Sequence, residues 1–217
     1  MIWKLAGAGL GVAIAGILIG FYIANWLLSV PPTYRAQTSS SGANLTIQTV
    51  AAIGPKEAPH PDWVSYLTQE SSKWVRTTIW TVPANSLVHV TLYQFDGASG
   101  LRNPFLAQTE GLVGQATLDG KPFTQIKPDR ASHTFAIPQL GVLVPLMAVP
   151  DNAKNQCGVA PCDPKTMAHR TITFTFRTGK RGKFRWQCFV PCAAGWDFGF
   201  GGPMQTIGYM DGFLNVV

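Results

Sequence analysis

The hydrophobic pattern separates an apolar N-terminal run from the rest of the chain. No charge occurs from Leu5 to Tyr34, and the part LAGAGLGVAIAGILIGFYIANWLLSV is apolar except for Asn25 and Ser29. A bilayer core needs about 20 apolar residues of helix, so residues 1–30 are predicted to form a transmembrane anchor helix. The following sequence, SVPPTYRAQ, has no small-x-small cleavage site, and we therefore expect the anchor to be uncleaved.

Two features of this run predict how it sits in a membrane. Lys4 is the only charged side chain before it, so the positive-inside rule places the N-terminus in the cytoplasm and the main domain in the periplasm or another extracytoplasmic space. Two GxxxG pairs would let other helices approach closely. We expect integral membrane subunits of a larger complex to pack there, on Gly7, Gly11, Gly16 and Gly20.

Beyond the apolar run, short alternating segments predict β-strands. Residues 31–45, PPTYRAQTSSSGANL, show no hydrophobic period and are predicted to be a linker. Residues 46–217 are predicted to form an all-β domain, an antiparallel sandwich or Greek-key barrel of seven or eight strands. Residues 60–74 are predicted to be a short helix or an irregular insertion. The strand candidates are LTIQTV, WVRTTIW, LVHVTLYQF, HTFAIP, GVLVPLMAV, RTITFTFR, KFRWQCFV and GFLNVV.

Composition narrows the function classes. The net charge of +6 comes from scattered basic residues, which favours solubility at an extracytoplasmic surface and gives no support to nucleic-acid binding. Attraction to anionic lipid headgroups or to an acidic partner is the alternative. Nucleophile elbows, phosphate-binding loops and HExxH motifs are absent, and the carboxylates are dispersed. We therefore expect no catalytic constellation, and at most a non-catalytic subunit of an oxidoreductase complex.

Two segments resemble a known family. ASHTFAIPQLGVLVPLMAVP, residues 131–150, and FRWQCFVPCAAG with its continuation GPMQTIGYMDGFLNVV, residues 184–217, resemble the cupredoxins. They are most similar to the extracytoplasmic domain of cytochrome c oxidase subunit II, over about residues 82–217. The resemblance implies a Greek-key cupredoxin-like sandwich or barrel, although that family usually has two spanning helices and this chain has one apolar run.

The resemblance also implies a copper ligand set, which this chain has only in part. His133 matches the upstream imidazole, Cys188 and Cys192 match the paired thiolates, and Val190 matches the residue that offers its carbonyl. Trp196 stands where the second histidine belongs. Since each copper needs a terminal donor, the standard dinuclear centre is incomplete, and so is a mononuclear His₂Cys site. We therefore expect no cofactor, with copper as the alternative.

The four cysteines leave several possibilities open. Cys157 and Cys162, in CGVAPC, are expected to form a disulfide. Cys188 and Cys192 have three alternatives: a second disulfide, a non-standard copper site, or free thiols used in copper relay or redox exchange. The non-standard copper site would contain both sulfurs, His133, and Met204 or Met210.

An aromatic, glycine-rich loop follows the second cysteine pair. Its rings are either docking anchors or fillers of the space left by the lost copper ligands: Trp196, Phe198, Phe200 and Tyr209. The leading interpretation is a membrane-anchored subunit that contributes scaffold and docking to a larger metalloenzyme or respiratory complex. The alternative is a copper-binding electron-transfer or copper-delivery module.

Overall fold

The computed structural model describes residues 2–27, 31–51, 63–192 and 202–217. Within these residues, one α-helix, α1, is followed by fourteen strands joined by turns and short 3₁₀ helices. The helical segments are α1 (Ile2–Tyr22), a π-helical continuation (Ile23–Leu27) and 3₁₀ turns at Pro104–Ala107, Pro128–Arg130, Pro138–Leu140 and Pro203–Gln205. The strands are β1 (Thr33–Arg35), β2 (Gln37–Ser39), β3 (Gly42–Val50), β4 (Ser65–Glu70), β5 (Lys73–Val75), β6 (Ile79–Val82), β7 (Leu87–Gln94), β8 (Ala116–Leu118), β9 (Lys121–Phe123), β10 (Ala131–Ile137), β11 (Val142–Met147), β12 (Arg170–Arg177), β13 (Gly182–Gln187) and β14 (Asp211–Val216).

Helix α1 carries apolar side chains that the other described residues do not cover. Leu10, Val12 and Ile17 are 64%, 75% and 70% exposed. The four glycines of the two GxxxG pairs are uncovered as well, because a Cβ added at any of them would meet no atom within 4 Å. Within the described part of the chain, no helix has both the length and the apolar character that a bilayer crossing requires.

The strands form two mixed sheets that enclose one main hydrophobic core. One sheet has the order β1-β6-β14-β13-β10-β11; the other has the order β5-β4-β3-β7-β12-β8-β9, with β2 paired to β3. The prediction of a mostly β fold built from two sheets is confirmed, but the described residues contain fourteen strands and not the seven or eight expected. The prediction that it is antiparallel is wrong for three pairs, β1 with β6, β6 with β14, and β3 with β7, which run parallel.

Two local predictions are also wrong. Residues 31–45 are not a structureless linker, because β1, β2 and the start of β3 lie there, with Tyr34 and Ala36 buried. In place of the helix or insertion expected at 60–74, the described residues 63–74 contain β4 and the start of β5, joined by a tight turn in which Ser71 adopts a φ of 56°. The boundaries of the domains stay a prediction.

An aromatic cluster fills the core beneath one end of the first sheet. Trp80 and Trp186 stack with ring centroids 4.6 Å apart, and Phe135 stacks on Trp186 at 5.8 Å. Tyr66 packs edge-on against Trp186 at 4.8 Å and donates its hydroxyl hydrogen bond to the carbonyl of Thr134. Since Phe135 lies on β10 and Trp186 on β13, this cluster fixes the relative position of the two strands that carry the candidate site.

Candidate metal and thiol site

Adjacent strands bring the predicted site residues together. β10 and β13 are antiparallel neighbours, with Ala136 opposite Gln187. Cys188 follows β13 directly and His133 lies near the start of β10, so the chain reversal places both at the same end of the sheet. The amide of Cys188 donates a hydrogen bond to the carbonyl of Met210 at 3.0 Å, which ties the start of the cysteine loop to the residue before β14.

Three donor atoms converge at this end of the sheet. The Nδ1 atom of His133 lies 2.8 Å from Sγ of Cys192 and 3.9 Å from Sγ of Cys188. The two sulfurs lie 3.3 Å apart. All three side chains are buried, with 6%, 7% and 0% of their residues' surface exposed for His133, Cys192 and Cys188. The structure thus confirms that His133, Cys188 and Cys192 form one cluster.

The two cysteines of this cluster are free thiols. A disulfide requires a sulfur–sulfur distance of about 2.05 Å, well short of the observed separation. The alternative of a Cys188–Cys192 disulfide is therefore not realised in the structure. The expected disulfide between Cys157 and Cys162 is confirmed, with Cα atoms 5.8 Å apart.

Asp96 orients the imidazole from its far side. Its Oδ2 atom accepts a hydrogen bond from Nε2 of His133 at 2.8 Å, and both side chains are almost entirely shielded from solvent. Asp96 follows β7, and its own carbonyl accepts a hydrogen bond from the amide of Val149, which holds the aspartate in place. A carboxylate at Nε2 fixes the ring so that Nδ1 faces the sulfurs.

Thr134 holds the sulfur of Cys188, the more deeply buried of the two cysteines. The amide of Thr134 donates to Sγ of Cys188 at 3.4 Å, and the Thr134 hydroxyl accepts a hydrogen bond from the amide of Phe189 at 2.8 Å. The carbonyl of Val190 lies 3.7 Å from the same sulfur, so it is near the cluster, as the resemblance implied. Strand β10 and the loop after β13 are thus fastened to each other on both sides of Cys188.

The buried charges reinforce one another. Burial alone would lower the pKa of His133, but its hydrogen bonds to Asp96 and Cys188 raise that pKa to about 9. Burial would likewise raise the pKa of Cys188, but hydrogen bonds from Cys192 and His133 hold it well below its usual range. The neighbouring Cys188 sulfur, together with burial, raises the pKa of Cys192. In the metal-free cluster an imidazolium is therefore favoured beside a thiolate, and the two sulfurs share the remaining thiol proton.

The donor set fits a soft metal ion. Two ligand atoms that share one ion, each bonded at about 2.0–2.3 Å, lie no more than about 4.6 Å apart. The three separations in the cluster, 2.8, 3.3 and 3.9 Å, satisfy that limit. Two sulfurs and an imidazole favour Cu(I) or Zn²⁺ over hard cations such as Mg²⁺ or Ca²⁺.

The remaining predicted site residues are the two candidate methionine ligands and the four aromatic residues of the docking loop. Met210 is buried and Met204 is partly buried, both in the core beside the cluster, and their role as ligands stays a prediction. Tyr209 is only 2% exposed, packs edge-on against Trp63 and lies under the guanidinium of Arg76. This burial favours the filler alternative for Tyr209, and its role in docking stays a prediction. The predicted docking residues Trp196, Phe198 and Phe200 lie outside the described residues.

Reasoning from the sequence missed Asp96 and Ser132. Asp96 lies 37 positions before His133 in the chain. Its only sequence signal is a carboxylate directly after an alternating strand, in YQFDG. Ser132 precedes the matched histidine, is 1% exposed, and its hydroxyl has no hydrogen-bond partner among the described residues.

Comparison with known proteins shows a limited likeness to one copper protein. Among solved structures, the chain is similar to rusticyanin from Thiobacillus ferrooxidans, with 13% identity and a TM-score of 0.33 over 85% of this chain and 82% of that chain. A structure described as the copper protein rusticyanin shares 13% identity at a TM-score of 0.32 over 92% and 94% of the two chains. Reduced rusticyanin shares 15% identity at a TM-score of 0.30 over 85% and 84%.

No protein-family profile matches the chain, and no curated protein sequence matches it. The resemblance to cytochrome c oxidase subunit II stays a prediction.

Proposed function

We propose that the strands β1–β14 form a cupredoxin-like module that binds copper, held as Cu(I), through His133, Cys188 and Cys192. The observation that carries the proposal is the convergence of two free sulfurs and one imidazole nitrogen, all within 4.8 Å of one another. Copper bound there would supply a one-electron redox couple or a cargo for transfer to another protein. Since the donors are soft and a second imidazole does not occur after Cys192 in the sequence, the site favours the reduced ion, and delivery is the better-supported role.

The chain's own residues prepare the site for a cation. Asp96 keeps the imidazole of His133 turned so that Nδ1 faces both sulfurs. The amide of Thr134 fixes the Cys188 sulfur. Metal uptake must displace the protons now held at the cluster, so affinity is expected to rise with pH.

A competition titration tests this proposal. The full-length chain is loaded anaerobically with Cu(I) against a chromophoric Cu(I) chelator, and a parallel titration uses Zn²⁺. We expect one Cu(I) per chain, and His133→Ala or Cys192→Ser is expected to weaken binding at least about 100-fold, because each removes a direct ligand. His89→Ala is the matched control, since His89 is already occupied by hydrogen bonds to Thr175 and Ser41. Equal Cu(I) affinity in all these chains would contradict the proposal, and so would binding of Zn²⁺ alone.

We further propose that residues 1–30 attach the module to a membrane, where it serves as a subunit of a larger complex. The support is the uncharged run from Leu5 to Tyr34 and the uncovered apolar side chains of α1. Scaffolding and docking within that complex is the second candidate function, favoured by the same uncovered helix.

Fractionation of the full-length chain tests the attachment. We expect it to stay in the membrane pellet after an alkaline carbonate wash and to be released by detergent together with other membrane proteins. Release by carbonate alone would contradict both the attachment and the subunit role.

A further inference from the structure

We propose that the metal-free cluster carries out thiol–disulfide exchange with small disulfides, using Cys192 as the attacking sulfur and Cys188 as the resolving sulfur. The supporting observation is a chain of hydrogen-bond contacts from Asp96 through His133 to Cys192. Oδ2 of Asp96 lies 2.8 Å from Nε2 of His133, whose Nδ1 lies 2.8 Å from Sγ of Cys192. A carboxylate, an imidazole and a thiol in this order are the arrangement that activates a sulfur nucleophile. A second thiol lies 3.3 Å from the first.

A cleft beside the cluster decides which sulfur reacts first. It has a volume of about 230 Å³ and is lined by Cys192, His133, Asp96 and the short segment 97–99. Cys188 does not line this cleft and is 0% exposed, with its sulfur held by the amide of Thr134. Cys192 is therefore the sulfur that an incoming disulfide meets, and Cys188 reaches only the mixed disulfide that forms on Cys192.

The cleft also indicates the class of substrate. Its volume is below the roughly 300 Å³ at which pockets for drug-sized ligands begin, so it suits a small solute rather than a folded protein. Ser132 lines the same cleft, and its buried hydroxyl has no hydrogen-bond partner among the described residues. Leaving a buried hydroxyl unpaired is unfavourable, so a ligand with a polar group beside its disulfide would be favoured.

The substrate disulfide, RSSR, is the only oxidant that the exchange requires. The exchange starts from the form in which the proton that the two sulfurs share lies on Cys188 and His133 is an imidazolium. The Cys192 thiolate attacks one sulfur of RSSR, the substrate S–S bond breaks, a Cys192–SR bond forms, and the departing RS⁻ takes a proton from His133. Cys188 then gives its proton to His133 and attacks Cys192. The Cys188–Cys192 bond forms, the Cys192–SR bond breaks, and the second RS⁻ leaves as RSH. Two cysteine thiols are oxidised and one substrate disulfide is reduced to two thiols.

The test uses the full-length chain, freed of metal with a chelator and mixed with dithiodipyridine, whose released thiopyridone absorbs light. We expect two thiopyridones released per chain, no probe left on the protein, and a new Cys188–Cys192 bond in the peptide map. Cys188→Ser is expected to stop at one thiopyridone, with the probe attached to Cys192. Cys192→Ser is expected to react at least about 100-fold more slowly, because the remaining sulfur does not line the cleft. The Cys157–Cys162 disulfide contributes no thiol to the count.

Three further variants, at Ala98 and Asp96, test the cleft and the orientation of the imidazole separately. Ala98→Leu narrows the cleft without replacing a residue of the cluster, and we expect slower release of thiopyridone with unchanged copper binding. Asp96 is a positioning residue here, so Asp96→Asn should slow release about 10- to 100-fold, and Asp96→Glu should recover part of the loss.

Several results would overturn the inference. One is thiopyridone release that is no faster than global unfolding of the chain. Another is release from Cys192→Ser at the rate of the unaltered chain. The third is a Cys188→Ser chain that carries the probe on a residue other than Cys192. The outcome is also separable from the copper proposal. Copper binding without exchange removes this inference alone, and exchange in a chain that does not bind copper removes the copper proposal alone.

Discussion

Replacing Asp96 with asparagine tests the electrostatics of the cluster in the metal-free chain. The substitution keeps the size of the side chain and its ability to accept a hydrogen bond, but it removes the negative charge facing Nε2 of His133. The pKa of His133 lies at about 9 in the folded chain, compared with an ordinary value of 6.5. The corresponding free energy is about 3 kcal/mol of folding stability.

The sign of this contribution follows from the direction of the shift. Because the folded pKa is raised, the stabilisation is fully present below about pH 6.5 and is lost as the pH rises through about 9. A buried hydrogen bond between charged groups contributes about 1.5–3 kcal/mol, so we expect Asp96→Asn to lower the free energy of unfolding by about 2 kcal/mol near pH 6. Near pH 10, where His133 is neutral in both chains, the loss should fall below about 1 kcal/mol.

Urea unfolding of both chains at the two pH values measures this difference. Asp119→Asn is the matched control, because Asp119 pairs with Arg170 at 2.8 Å on the surface, with 41% of its side chain exposed. Such a pair contributes about 0–1 kcal/mol, without the same dependence on pH in this range. An equal loss for Asp96→Asn at both pH values would refute the assignment of a charged His133–Asp96 pair, as would a gain in stability near pH 6.

Three further predictions concern the scaffold around the cluster. Gly212→Ala should destabilise the fold by about 1–3 kcal/mol in urea unfolding, because the added Cβ would lie 1.8 Å from the carbonyl oxygen of Thr78; unchanged stability would show that β14 shifts freely. Phe135→Ala should cost about 3–5 kcal/mol by the same measurement, since it empties the centre of the aromatic cluster, and a loss below about 1 kcal/mol would contradict that packing. Changing Cys157 and Cys162 together to serine should cost about 2 kcal/mol and leave copper stoichiometry unchanged; loss of copper would show that this disulfide supports the site.

Strands with an alternating or a continuous apolar pattern could be predicted from the sequence, as in β7, β10 and β11, and short or polar strands could not. β7 alternates strictly between buried and partly exposed residues, and its alternation is visible in LVHVTLYQ. In β4 the four residues Ser65 to Thr68 are all buried, which leaves no period of two in the sequence. β1 has only three residues and pairs in parallel with β6. Because β6 lies more than 40 positions later in the chain, the local sequence around β1 does not show this pairing.

The residues of the candidate site could also be predicted only in part. His133, Cys188 and Cys192 were found because they belong to motifs with recognisable spacing, and the antiparallel pairing of β10 with β13 brings them together. Asp96 could not be found in this way, because its contact with His133 depends on a contact between strands of different sheets. The state of the two thiols could not be predicted either, since CxxxC spacing is compatible with a disulfide and with a metal site.

X-ray absorption at the copper edge, on the full-length chain loaded with one equivalent of Cu(I), tests the central claim most directly. The copper proposal predicts a Cu(I) edge with two sulfur ligands and one imidazole nitrogen, and loss of the imidazole contribution in His133→Ala. A spectrum dominated by oxygen and nitrogen ligands, or one unchanged by that substitution, would show that copper binds elsewhere and that the cluster of His133, Cys188 and Cys192 is not its site.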